Sequence, residues 1–190
     1  MSMSKSYVFL LILLLAATGG FNAALADHDE HGEGRHHRER HRGDHSGEGG
    51  KSCLTPVSNP VYAESCGECH FAYQPELLPS GSWEKILAGL EDHFGETVEL
   101  DSAAKKDISG YLAANGAERS SAKRAVKIMK SLGGNTPLRI TEIPCIKDAH
   151  HDISPDVLKR ESIGSLSNCS ACHTTAQSGI YNDDNVTIPK

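Results

Sequence analysis

The chain is poor in several residue types, and each shortage excludes something. Only 5% of its 190 residues are aromatic, with a single tryptophan. A core built from side chains alone would be modest, and glycine, present 18 times, adds no bulk to it. Methionine occurs three times, as Met1, Met3 and Met129. Positive charge is not in excess. Nineteen Lys and Arg stand against 25 Asp and Glu, a formal net charge of −6. That argues against a basic nucleic-acid-binding surface and suits a partner protein carrying a basic patch. Long apolar runs are scarce as well. The only one, Tyr7 to Ala17, is interrupted at Thr18-Gly19-Gly20, short of the ~20 residues that cross a bilayer.

That run has a positive residue, Lys5, before it and the small-residue pattern Ala24-Leu25-Ala26 after it. It reads as a secretory signal peptide over residues 1–26, cleaved before Asp27. The mature chain is expected to be exported, periplasmic in a bacterium, and not membrane-spanning. Its compartment would permit disulfides. Residues 27–50 carry His28, His31, His36, His37, His41 and His45 among Asp, Glu, Arg and Gly, with no large apolar residue. Such a segment cannot bury enough surface to offset its ordering entropy and is expected to be a disordered tail. It could bind Zn, Cu or Ni loosely, although nothing in it fixes a geometry. The folded part is then a single domain over residues 51–190.

Six cysteines are present, and four fall in two matching stretches: Cys66-Gly67-Glu68-Cys69-His70 and Cys169-Ser170-Ala171-Cys172-His173. Each reads C-x-x-C-H, the attachment signature of a c-type haem. Two thiols one helical turn apart can add to the two vinyl groups of one porphyrin, and the following imidazole then reaches the iron. C-x-x-C pairs also serve as zinc sites, redox dithiols or structural disulfides. None of these requires a histidine directly after both pairs. Two covalent haems c are therefore the reading, and their apolar discs would supply core that the side chains lack. Cys53 and Cys145 remain, an even remainder that suggests a disulfide. Closing so long a loop would stabilise by on the order of 4 kcal/mol in the chain-entropy view.

The rest reads as short helices and loops. Ser82 is expected to cap a helix from Trp83 to Phe94, with Trp83, Ile86, Leu87, Leu90, His93 and Phe94 at helical spacing. His93 then lies on an apolar face. Asp101 caps a second helix carrying Ile108 and Leu112, closed by Gly116. A third is expected over Arg119–Leu132, with Ala122, Ala125, Val126, Met129 and Leu132 inward and Gly133-Gly134 ending it. Between Phe71 and Pro79 two prolines prevent a helix, and a carbonyl of this loop is expected to accept the second imidazole proton of His70. Thr136 to Cys145 reads as non-helical, and Ser154-Pro155 as the start of a short helix. The fold class is mainly α.

Two haems with His70 and His173 as proximal ligands need two distal ligands. The candidates are His93, His150, His151 and Met129. One methionine survives signal removal, so two His/Met haems are excluded. Two bis-His haems are possible with His93 and one of the pair His150 and His151. Such irons are closed, pass electrons rather than bind substrate, and have lower potentials than His/Met irons. Arg139, between apolar neighbours, could pair with a haem propionate.

At this point the chain resembles the diheme cytochrome c family of bacterial periplasmic electron carriers. The resemblance rests on Cys66-x-x-Cys69-His70-Phe71-Ala72-Tyr73, Leu77-Leu78-Pro79, Ser82-Trp83, His93-Phe94-Gly95, Arg139-Ile140-Thr141-Glu142, and the second motif with Ala176 and Gly179. It covers residues 51–190 and not the His-rich tail. It implies a small helical fold with two haem-bearing halves and two bis-His haems. Among its implied distal ligands are His93 and, counting from Thr141-Glu142-Ile143-Pro144, His150 rather than His151. The resemblance also implies redox partners: a membrane cytochrome b and a small oxygen-binding cytochrome c. The expectation is a monomeric electron carrier and not an enzyme. The alternative is a small peroxidase- or nitrite-reductase-like haem enzyme with one displaceable axial ligand.

Overall fold

Capping residues and prolines decide where the helices begin. The computed structural model of the protein describes residues 53–190; the expected signal peptide and His-rich tail lie outside the described residues. Helix α1, Pro60–Cys66, has Asn59 as its cap, whose side chain accepts from the Tyr62 amide at 2.8 Å. Pro60 takes the first turn, where its missing N–H costs no hydrogen bond. Helix α2 is Ser80–Ala88 and ends on Gly89. Helix α3, Ser102–Asn115, is capped as expected by Asp101, which accepts from the Ala103 and Ala104 amides at 2.8 Å. Helix α4, Lys123–Leu132, stops at Gly133, whose φ of 54° is left-handed. Helices α5, Pro144–Ala149, and α6, Pro155–Leu158, each start on proline. Helix α7, Cys169–Cys172, is a single turn inside the second motif. Among the described residues only isolated bridges form outside the helices, His93 with Glu96 and His173 with Val186. The mainly α expectation holds.

Helix α3 packs against α1 and α2, and α4 against α5. Trp83 and Leu87 of α2, Ile108 and Leu112 of α3, and Ala125, Ile128 and Leu132 of α4 supply the buried face. Each is spaced three or four residues from the next on its own helix, which is what one helical face requires. A fully buried Leu or Ile contributes about 1.5–3 kcal/mol relative to exposure. The indole of Trp83 is buried and its Nε1 donates to the Pro75 carbonyl at 2.8 Å, so its polar end is satisfied. The same apolar cluster runs through Leu54, Leu77 and Leu78 to Ala176 and Tyr181. The segments that follow both motifs are thus anchored in one core.

Several boundaries differ from expectation. The helix expected from Trp83 to Phe94 is α2 followed by a 3₁₀ turn, Leu90–Asp92. The Gly89 amide bonds to Ile86 O at 3.1 Å, a tightened last turn that ends the α-helix there. His93 therefore leaves the helical path. The helix expected from Arg119 begins only at Lys123. Ser120 is drawn off by a 2.6 Å bond to Glu76 Oε1, and its Oγ accepts from the Ala122 amide at 3.0 Å. Val126, expected inward, is 52% exposed, and Ile128 takes the core position at 0%. The stretch expected to be non-helical up to Cys145 contains a 3₁₀ turn, Ile140–Glu142, and the start of α5. The disulfide expected between Cys53 and Cys145 is not formed. Cys145 is a buried thiol in the first turn of α5 and part of the apolar cluster.

Candidate haem-binding site

Helix α1 delivers the first motif, ending on Cys66. The next residue must be Gly67, because a Cβ there would lie 2.2 Å from Ala63 O. Nδ1 of His70 lies 2.8 Å from Phe71 O. A carbonyl only accepts, so Nδ1 carries the proton and Nε2 is left as a free lone pair. The expected loop carbonyl is thus that of Phe71. The ring of Tyr73 stacks on His70 with centroids 4.7 Å apart and planes 28° apart, and Phe71 meets Tyr73 edge-on at 4.8 Å.

His93 faces this site from a tight reverse turn. Its amide donates to Glu96 O at 2.7 Å and its carbonyl accepts from the Glu96 amide at 3.3 Å. Phe94 and Gly95 between them have φ of 59° and 102°, as a two-residue primed turn demands. Asp92 Oδ1 accepts from the Gly95 amide at 3.0 Å and holds the turn. His93 is half-buried. Burial lowers its pKa, and the neighbouring His70 and Arg139 lower it further, so the ring is kept neutral and available as a donor.

The second motif is built differently. Helix α7 supplies Cys169 and Cys172, and His173 ends it. The loop returns through Gly179, at φ 75°, where a Cβ would lie 2.2 Å from Leu54 O. His150 sits across from His173, with ring centroids 6.0 Å apart and planes 66° apart. Two imidazoles bonded through nitrogen to opposite sides of one metal, at about 2 Å each, have centroids about 6.3 Å apart. Nδ1 of His150 donates to Ile146 O at 2.7 Å, again leaving Nε2 free. His151 is exposed and fully engaged: Nδ1 lies 2.6 Å from Asp148 O and Nε2 lies 3.1 Å from Asp152 Oδ1. The structure brings His150 and not His151 to His173. Burial, His150 and Arg124 lower the pKa of His173, while Asp183 opposes them.

The two halves are tied by polar contacts that local sequence patterns gave no sign of. Tyr73 donates its hydroxyl to Ser167 O at 2.6 Å, two residues before Cys169. Gln74 is completely buried; its Nε2 donates to Ala176 O at 2.8 Å and its Oε1 accepts from the Tyr181 hydroxyl at 2.7 Å. Arg124 places its guanidinium 5.2 Å from the Tyr181 ring centroid, and Arg139 lies 3.9 Å from that of Phe94. Arg139 was legible as a candidate. Arg124 and Tyr181 were not, because an arginine on an amphipathic helix reads as a surface charge.

The chemistry of the donor set fits covalent haem. Burial pushes the thiols of Cys66 and Cys169 up to about 11 and raises that of Cys172. Reactive dithiols require the opposite shift. Nδ1 of His173 is buried with no hydrogen-bond partner. Unlike that of His70 or His150, its tautomer is therefore not fixed by a carbonyl among the described residues. Two C-x-x-C-H turns, each facing a second imidazole, define a protein with two covalently attached c-type haems.

Comparison with known proteins carries this further. A profile of the dihaem cytochrome c family matches residues 62–181. The chain is 41% identical to the diheme cytochrome c from Rhodobacter sphaeroides, with a TM-score of 0.59, over 67% of this chain and 100% of that one. It is 34% identical to the diheme cytochrome c of Shewanella baltica OS155, with a TM-score of 0.57, over 69% and 93% of the two chains. No curated protein matches. The chain belongs to the dihaem cytochrome c family. It carries two covalently bound haems c and acts in electron transfer with redox partners. No helix among the described residues is long and apolar enough to cross a membrane.

Proposed function

We propose that the protein is a periplasmic electron carrier in which both irons are closed by two histidines. His70 and His93 would hold the first haem iron, and His173 and His150 the second. Cys66, Cys69, Cys169 and Cys172 would carry the thioether bonds. When bound, the haems supply one-electron chemistry, and the residues around them govern its terms. The carbonyls of Phe71 and Ile146 fix the tautomers of His70 and His150 and raise their basicity. Burial keeps His93 and His173 neutral. Arg139 is available to a propionate. The observation that carries the reading is the pairing of His150 with His173, ring centroids 6.0 Å apart, with His151 engaged elsewhere; His93 lies near enough to His70 for that ring to disfavour its protonation.

Closed coordination suits outer-sphere transfer between a membrane cytochrome b fed by quinol and a soluble acceptor such as a small oxygen-binding cytochrome c. The net charge of −6 favours partners with a basic docking face. Residues 1–26 would serve as the cleaved export signal and 27–50 as a tail outside the domain at 51–190. Adding carbon monoxide to the reduced protein, and nitrite to the oxidised protein, tests the reading. A carrier leaves both spectra unchanged. Ligand binding at either iron, with turnover, would establish the haem-enzyme alternative instead.

A further inference from the structure

Beside each pair of facing histidines lies the same three-part arrangement: an imidazole, an aromatic ring and a guanidinium. In the first half the Phe94 ring lies 4.8 Å from His93, and the Arg139 guanidinium carbon lies 3.9 Å from the Phe94 centroid. In the second half the Tyr181 ring lies 5.5 Å from His173, and the Arg124 guanidinium carbon lies 5.2 Å from the Tyr181 centroid. The chain reaches the two arrangements by different routes. Phe94 directly follows its histidine, whereas Tyr181 comes eight residues after His173 and Arg124 comes from helix α4. Simple duplication does not account for the likeness.

Both arrangements are held in place. Arg124 is anchored by a 2.7 Å bond from Nη2 to Tyr181 O, and the Tyr181 hydroxyl is anchored by Gln74. Phe94 occupies a left-handed backbone position at φ 59° while 42% exposed. The reverse turn from His93 to Glu96 sets that backbone conformation and directs the ring outward. There it contacts both the His93 ring and the guanidinium of Arg139.

We propose that Arg124 and Arg139 are positioning residues that set the potentials of the two haems separately, Arg139 for the first and Arg124 for the second. This rests on the axial ligation proposed above. Reduction adds one negative charge at the iron, so a fixed positive charge nearby favours the reduced state and raises the potential. A guanidinium keeps that charge at every working pH. Arg124 is half-buried and Arg139 exposed. Solvent and salt screen the exposed charge more strongly, so Arg124 has the larger effect.

The test is a spectroelectrochemical titration of the haem-loaded protein with Arg124→Gln, Arg139→Gln and the corresponding lysine variants. Each glutamine variant should lower one of the two midpoints and leave the other in place, with the larger shift from Arg124→Gln. The lysine variants keep the charge without the planar stack and should retain most of the wild-type potential, which a purely packing role would not predict. Electron paramagnetic resonance on the same samples reports ligation independently. Unmoved midpoints, or both midpoints moving together, in samples that stay low-spin would overturn this proposal alone. A high-spin wild-type protein would overturn the ligation reading and this proposal with it.

Discussion

Replacing Gln74 by leucine should be among the most damaging single changes outside the haem ligands. The side chain is fully buried and makes three contacts: Nε2 to Ala176 O at 2.8 Å, Nε2 to Gln177 O at 3.3 Å, and Oε1 from the Tyr181 hydroxyl at 2.7 Å. Leucine fills a similar volume but offers no polar atom. Gln177 is exposed, and its carbonyl can turn to water. The Ala176 carbonyl keeps the Gly179 amide as a donor at 2.9 Å, but the Tyr181 hydroxyl, on a residue 7% exposed, has no such recourse. One stranded hydroxyl gives a loss of about 1–3 kcal/mol. Tyr181→Phe strands only Gln74 Oε1 and should cost about 1–3 kcal/mol. In the double variant the stranded hydroxyl is gone, so the combined loss should fall short of the sum by about 1 kcal/mol or more. Guanidinium unfolding of the oxidised, haem-loaded protein, followed by far-ultraviolet circular dichroism, measures all three. A Gln74→Leu loss within about 0.5 kcal/mol of zero, or strict additivity in the double variant, would refute the reasoning.

Three further outcomes are expected. His93→Ala and His150→Ala should each turn one haem high-spin and leave the other unchanged, whereas His151→Ala should leave the absorption spectrum as it is; a spectral change in His151→Ala would reverse the choice of ligand. Gly67→Ala should destabilise the first motif by about 1–3 kcal/mol through overpacking, since its Cβ would lie 2.2 Å from Ala63 O; reduced haem loading in the exported protein reads this out. An imidazole held by iron through Nε2 and protonated at Nδ1 has no lone pair left to protonate, and burial shifts the pKa values of His93 and His173 downward, in the same sense. The low-spin spectrum should therefore persist as pH falls through 6.5, and high-spin iron appearing already above that pH would contradict it.

What could be read from the sequence was the chemistry carried by identity and short spacing. The two C-x-x-C-H stretches needed no tertiary context, nor did the cap at Asp101 and the helix start at Pro155. His93 was found by periodicity, and the reason turned out to be different: it sits in a reverse turn after a 3₁₀ turn, not on the face of a helix. The apolar spacing that singled it out stops being helical at Gly89, and spacing alone does not register where a backbone tightens. Ile128, not Val126, shares the buried face with Ala125 and Leu132, and α4 begins four residues later than expected. Ser120 and the buried Glu76 fix that start across 44 positions of sequence. Gln74, Tyr73, Arg124 and Tyr181 were hidden for the same reason. Their partners lie 57 to 107 residues away in the chain, and no local pattern reports such contacts.

Those long-range contacts also bear on function. A carrier with two irons must hold them at a fixed separation while electrons pass between them. Here Tyr73 and Gln74, in the loop just after His70, bond directly to the segments on either side of the second motif. One buried cluster runs beneath both. The two attachment sites are thus parts of one packed unit, although just over a hundred residues separate their histidines.

The central claim is that both irons are closed by paired imidazoles. Electron paramagnetic resonance of the oxidised, haem-loaded protein, recorded with its optical spectrum, tests it most directly. The account predicts two low-spin bis-imidazole signals, no high-spin component and no absorption band of thioether-ligated iron. A substantial high-spin fraction, or a methionine-ligation band from Met129, would contradict it.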